Sequence, residues 1–329
     1  MKLYDKFYGE FDITEPVLLD LLNSPTLLRL KNISQGGYYP AAPLQAGDIN
    51  RYDHSIGVFL LLRKFGASIE EQIAGLTHDI SHSAFSHTID YIGKDKSSQK
   101  NQGHQDSIHN EFIKTSDISN IVKKHGFDID YILDDTNFPL KENDLPDICA
   151  DRIDYSIRAS VKVPENNIES IHEIIEDLTI YNGQFVFKSF ETALKFSNNF
   201  SWCNINMWSH PGTAVMFNIL GKTLGYAIEK GYISYNDLYT KSDNDIIKFL
   251  KNTDDSKLQK SMNKLNYPPE QYLADSSDQD FETTYCKVRN VDPYFLNNGT
   301  LTRVSELDKN YSELLKTSPK FLEYKLKAA

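Results

Sequence analysis

Residues 76–87 read LTHDISHSAFSH and place three of the chain's nine histidines beside an aspartate. Imidazole and carboxylate together suit borderline divalent metals such as Mn, Fe, Co, Ni and Zn, and carboxylates also accept Mg. The same imidazoles can carry protons near neutral pH. On a helix, His78 and His82 share one face, and so do His87 and Asp90. His78 and Asp79 are adjacent and diverge by about 100°. They meet one cation only where a helix ends or where two helices meet. Taken alone, the His-Asp pair reads equally as a solvated polar patch.

Three further segments change that balance. NRYDHSIGV (50–58) sets Arg51 and His54 at the start of an apolar helix, upstream of His78. ADRIDYSIR (150–158) carries Asp151 and Asp154 inside an otherwise apolar helix, where an unpaired carboxylate is costly. GHQDSIHNEF (103–112) supplies His104 after a polar loop.

In this order and spacing, RYDHSIGV, THDISHSAFSHTID and ADRIDYSIR resemble the H…HD…D signature of HD-domain metal-dependent phosphohydrolases. More narrowly they resemble the branch of the dGTPases and dNTP triphosphohydrolases. GGYYP (36–40), HPGTA (210–214) and VDPYF (292–296) extend the likeness over most of the chain. The resemblance implies that His54, His78, Asp79 and Asp151 are metal ligands. It implies acid/base roles for His82 and His87, with Asp90 orienting one of them, and a further active-site role for His104. Arg51 and Arg152 match phosphate-contacting cations, Tyr155 matches a tyrosine near the substrate sugar, and Gln35 and His210 complete the substrate-binding set.

The chemistry so implied is hydrolysis of a phosphate ester or anhydride of a nucleotide, a dNTP or a related phosphorylated metabolite, by metal-activated water. A histidine protonates the leaving oxygen. Three departures from the dNTP-hydrolysing pattern bear on recognition. Ala159 stands where that branch carries a sugar-reading aspartate, Gln105 follows His104 where an acid is common, and residues 196–210 hold no Arg or Lys. Loss of a hydrogen-bonding group relaxes discrimination more than it alters chemistry. Two other readings remain open: a di-iron HD-type oxygenase using the spare histidines, and a catalytically weak nucleotide-sensing module.

These side chains must be positioned mainly by helices. Apolar i, i+3, i+4 spacing predicts helices over 18–33 (interrupted at Ser24-Pro25), 54–65, 68–82, 108–128, 146–161, 190–200 and 210–231. Ser68 with Glu71 predicts a capping box, and Pro146 a first-turn proline. Asn182-Gly183 between β-rich arms predicts a hairpin over 178–187. Residues 284–296 and 300–307 read as strands. Polar loops are expected at 92–107 and 267–280. The expected fold is mainly α, an HD-domain helical bundle with small β-hairpin embellishments. Residues 1–265 would form the phosphohydrolase domain, and 266–329 a C-terminal extension of short strands and a helix packed on it. His109, His125 and His172 read as surface or satisfied core histidines, and Trp202 and Trp208 as core.

Composition sets the outer bounds. With 329 residues, 40% hydrophobic and 25% charged, the chain can bury a full core. A net charge of −11 argues against a broad grip on nucleic acid. The expected partner is a nucleotide or phosphorylated small molecule, together with other copies of the chain in a homo-oligomer. Three dispersed cysteines fit reduced thiols. No signal-like N-terminus and no apolar run of membrane-spanning length are present, so a soluble cytoplasmic protein is the expectation.

Overall fold

Asn50 starts the central helix of the protein by accepting a hydrogen bond from the Asp53 backbone N–H. The helix runs Arg51–Lys64, and every residue from His54 to Leu62 is buried. A helix buried all round has no solvent face, which explains why its apolar residues show so little one-sidedness. Helices Ile69–Thr77 and Ala150–Ser160 pack against it. The computed structural model describes residues 1–38, 49–93, 95–275 and 280–327. Tyr39 and Pro40 of the GGYYP stretch, and residues 276–279 of the second polar loop, lie outside them.

The remaining helices follow the apolar periodicity with shifted ends. Pro16–Leu22 and Pro25–Arg29 are separated at Ser24, whose hydroxyl caps the second. His104–Thr115 and Asp117–Lys124 divide at Ser116, which caps the latter. Phe190–Cys203 and Pro211–Glu229 flank a wider helical turn at Asn204–Trp208.

Four expectations need correction. The helix expected to reach residue 82 ends at Thr77, where the Gly75 carbonyl is taken by the His78 ring and the His78 carbonyl by the Gln105 amide, so neither is left for the next turn. The helix expected from Pro146 begins at Ala150, and the Leu145–Pro146 peptide is cis. The polar excursion 92–107 contains a short helix, Lys96–Asn101, capped by Asp95. At Ser68 only the forward half of the capping box forms, its hydroxyl accepting from the Glu71 N–H.

The Asn182-Gly183 hairpin is present as Leu178–Tyr181 paired with Gln184–Phe187, both turn residues at positive φ. The region read as one strand over 284–296 splits in two around Asp292-Pro293. Phe281–Lys287 pairs antiparallel with Phe321–Lys327, while Tyr294–Asn297 extends the hairpin sheet together with Thr300–Arg303. After Arg303 the chain turns helical at Val304–Leu307. One apolar core runs from Phe7 to Leu326 and draws on both the helices and the late strands. No helix among the described residues is long and apolar enough to cross a membrane.

Candidate active site

His54 sits one turn into the central helix, where burial leaves its ring 1% exposed. Its Nδ1 lies 2.7 Å from Asp154 Oδ2 on helix Ala150–Ser160, one turn beyond Asp151. That contact turns Nε2 toward Asp151, at 2.9 Å, and toward His78 Nε2, at 3.2 Å. His78 occupies the C-cap of helix Ile69–Thr77, and its Nδ1 bonds the Gly75 carbonyl at 2.7 Å. Its Nε2 is thereby aimed at Asp151, 3.4 Å away. Asp79 closes the group, its carboxylate 3.7 Å from His54 Nε2 and 3.6 Å from His78 Nε2. The helix end at Thr77 lets adjacent residues 78 and 79 converge, which a continuing helix would forbid.

Two imidazoles, each with the far nitrogen already bonded, and two carboxylates form a donor set suited to a divalent transition metal. The charge balance agrees. Burial alone would lower the His54 pKa, but its hydrogen bonds to the Asp151 and Asp154 carboxylates outweigh it and push it up to about 9. Burial opposes ionisation of Asp79, yet Arg51, His78 and His82 hold it well below the usual carboxylate range. Asp151 is likewise depressed by hydrogen bonds from His54 and His78 that exceed its burial cost. This concentration of negative charge invites a cation.

Asp154 anchors the arrangement from behind. It is fully buried and also accepts from Arg158 Nε at 2.7 Å and from Tyr8 hydroxyl at 2.9 Å. Arg158 in turn bonds Asp5 at 2.7 Å. Gly57, one turn after His54, leaves the space this network fills.

The cluster floors a cleft of about 1200 Å³. His82 and His87 stand beside it with ring centroids 5.2 Å apart. Burial pushes both imidazoles below their ordinary value, and the Arg51 charge adds to this. His82 Nε2 faces Asp79 at 3.3 Å, and His87 Nδ1 faces Asp90 at 3.9 Å. One wall is apolar, built by Tyr155, Met207, Trp208, Met216 and Phe217. Tyr155 packs edge-on against Trp208 at 5.1 Å.

A scan of family models matches the HD domain over residues 51–159, a span containing all four candidate ligands. A metal-dependent phosphohydrolase of Cordyceps militaris is 30% identical over 88% of this chain and 83% of its own length. The chain belongs to the HD-domain metal-dependent phosphohydrolases. An uncharacterised Bacillus subtilis protein, YdhJ, is 32% identical over 89% of this HD-domain chain and 88% of its own. Similarity to the deoxynucleoside triphosphate triphosphohydrolase of Mus musculus is partial, 28% identity over 38% of this chain and 22% of that protein. The fold matches a crystal structure of a Bacteroides thetaiotaomicron phosphohydrolase with a TM-score of 0.71 at 18% identity, over the whole of both chains.

Within this phosphohydrolase the expected site residues separate by position. Gln35, Arg51, His54, His78, Asp79, His82, His87, Asp151, Arg152 and Tyr155 all reach the cleft. Asp90 lies just behind it, accepting from the His104 backbone N–H at 3.2 Å. The His104 ring is not brought to the cleft: its Nε2 bonds the Tyr239 hydroxyl at 2.5 Å. His210 is also outside the lining and serves as N-cap of helix Pro211–Glu229, accepting from the Gly212 N–H. Two expected phosphate contacts are already engaged. Arg51 bonds Asp79 and Ser86, and Arg152 bonds Glu142 and the Asn143 and Asp147 carbonyls.

Other cleft residues lie outside the set of site residues that the resemblance implies, and His109 and Trp208, read as surface or core, are among them. His109, four residues past Gln105, lines the cleft and meets the Ser81 hydroxyl at 2.8 Å. Gln105 donates to the His78 carbonyl at 3.0 Å, so it braces the ligand segment where an acid would repel it. Trp208 and Ala159 line the wall. Lys287 and Arg289 enter from the end of strand Phe281–Lys287 and the loop after it, and no local motif marks them.

Proposed function

We propose that this protein hydrolyses a phosphate ester of a nucleotide or nucleoside-like metabolite, with His54, His78, Asp79 and Asp151 holding a divalent metal such as Mn or Fe. The observation that carries this reading is the ligand cluster on the floor of a cleft with an aromatic wall. The volume exceeds the roughly 300–1,000 Å³ of an ordinary small-ligand pocket, room enough for a base, a sugar and a phosphate. When bound, the metal would lower the pKa of a water and neutralise phosphate charge.

The chain's own residues supply positioning and protons. Asp154 and the Gly75 carbonyl hold the two ligand imidazoles in one orientation. Both His82 and His87 are neutral in the free protein near pH 7, by the direction of their shifts. A phosphate dianion beside His87 favours its charged form, and Asp90 stands ready to orient it. His87 then serves as the proton donor to the leaving oxygen. Tyr155 and Trp208 offer aromatic faces to a base or sugar.

The cleft charges favour one phosphate over three. Carboxylates outnumber cations along the lining, and Lys114, Lys141, Arg51 and Arg152 are each paired with one of them. A triphosphate carrying about four negative charges would lie among unpaired acids, at a repulsive cost. With Ala159 in place of a carboxylate, discrimination between ribose and deoxyribose should be weak.

The test is a panel of nucleoside mono-, di- and triphosphates and simple phosphate esters, incubated with Mn²⁺-loaded protein and read by mass spectrometry. Monoesters should release phosphate fastest. His78→Ala should lose both the metal and the turnover. A preparation that retains metal and cleaves nothing on the panel overturns the assignment.

A further inference from the structure

Six cations line the cleft, and the four named above are neutralised by a carboxylate at ion-pair distance. Lys287 and Arg289 differ from them. Among the described residues neither has a carboxylate within ion-pair distance. Lys287 ends strand Phe281–Lys287, and Arg289 lies two residues on, so both face the cleft while the intervening Val288 is buried the other way. Arg289 is fixed on the strand side, its backbone N–H donating to Asn204 Oδ1 at 3.1 Å and its Nη2 to Gln102 Oε1 at 3.2 Å. Gln102 is itself buried and donates to the Tyr91 hydroxyl at 3.2 Å.

Two like charges share a half-buried place, which is unfavourable, and the Asp106 charge offsets less of this at Lys287 than Arg289 adds. Burial and the Arg289 charge both lower the Lys287 pKa. The arrangement is relieved by an anion. The cleft that Lys287 and Arg289 line also holds His87, Tyr155 and the four candidate ligands, and the Arg289 charge acts on both His87 and Tyr155. The anion place therefore adjoins the ligand cluster and the proposed proton donor.

We propose that Lys287 and Arg289 form the phosphate-binding subsite of this protein, supplied by the end of strand Phe281–Lys287 and the loop after it and not by the matched HD segment. The inference rests on the phosphohydrolase reading and names the residues that select a phosphorylated substrate. A guanidinium held at Nη2 by Gln102, on a backbone held by Asn204, and a neighbouring ammonium together match the oxygens of one phosphate.

The test uses Mn²⁺-loaded protein with inorganic phosphate as the probe, followed by thermal shift, with Lys287→Gln, Arg289→Gln and Lys287→Arg alongside the parent. Each Gln variant should weaken half-saturating phosphate by about tenfold to hundredfold, the range lost with one charge-assisted hydrogen bond. Lys287→Arg should bind within about threefold of the parent, since the charge is kept. Bound manganese should be equal in all four proteins. Because Lys287 has no carboxylate at ion-pair distance among the described residues, Lys287→Gln should melt no lower than the parent in phosphate-free buffer, which a structural lysine would not do. Unchanged phosphate affinity in both Gln variants, or loss of manganese in step with it, overturns the subsite. If the panel shows no hydrolysis but phosphate affinity still falls, the subsite stands and the enzyme reading fails. If monoesters are turned over with unaltered KM in both variants, the enzyme reading stands and the subsite fails.

Discussion

His54 Nδ1 lies 2.7 Å from the fully buried carboxylate of Asp154, and this contact decides which imidazole nitrogen faces the cleft. Among the described residues the hydrogen-bond partners of the Asp154 carboxylate are His54 on the cleft side and Arg158 and Tyr8 behind it. Asp154→Asn should weaken Mn²⁺ binding by about tenfold to hundredfold, as loss of a ligand-orienting carboxylate does. Metal titration followed by calorimetry measures it. Affinity equal to the parent's would show that the Nδ1 contact does not orient the ligand.

Gly57 leaves room for that network. A Cβ there would stand 1.9 Å from Asp154 Oδ1 and 2.2 Å from Arg158 Nη2. Neither group can retreat, because both are buried and multiply bonded. Gly57→Ala should therefore cost about 3 kcal/mol or more, combining overpacking with a broken buried ion pair. Denaturant unfolding reads the loss, and a cost below about 1 kcal/mol, the size of an ordinary surface change, would contradict the account.

His87 is placed to move a proton without holding the metal. His87→Gln should lower kcat on a phosphate monoester by about 10²- to 10⁴-fold, the range for loss of a general acid. Manganese content, read by elemental analysis, should match the parent's. Loss of metal instead would make His87 part of the ligand set.

His109 gives a stability signature in pH. Burial, with the Lys141 and His78 charges adding, pushes its imidazole down to about 4 from 6.5. The folded protein leaves it neutral where the unfolded chain takes up a proton. Stability from this group is therefore full above pH 6.5 and is lost as pH falls toward 4. At pH 5 the loss is at most about 2 kcal/mol. His109→Gln keeps an acceptor for the Ser81 hydroxyl and removes the titration. Its Tm should fall less than the parent's between pH 7 and pH 5; equal falls would assign the dependence elsewhere.

The residue types of the ligand cluster were legible in the chain because metal chemistry restricts them to imidazole and carboxylate. Apolar periodicity equally marked the helices that carry His54 and Asp151, and Asn182-Gly183 marked the hairpin, since backbone sterics act locally. The adjacency of Asp154 to an apolar helix face signalled that it needed a partner. Local pattern could not say that the partner was His54, a hundred positions away.

Tertiary structure decided the rest. Gln105, remote from residues 76–87 in sequence, takes the His78 carbonyl that a continuing helix would need, so His78 and Asp79 converge at a helix end. Long-range packing turns the His104 ring to Tyr239 and leaves His109 in the cleft, although both histidines sit on the same helix. Carboxylate partners occupy Arg51 and Arg152, while Lys287 and Arg289, at and just past the end of a strand beyond the HD segment, reach the cleft with no carboxylate at ion-pair distance among the described residues. Residue type and short-range periodicity determine which groups can do the chemistry. Long-range contacts, each set by the shape and charge of a distant neighbour, decide which of them meet.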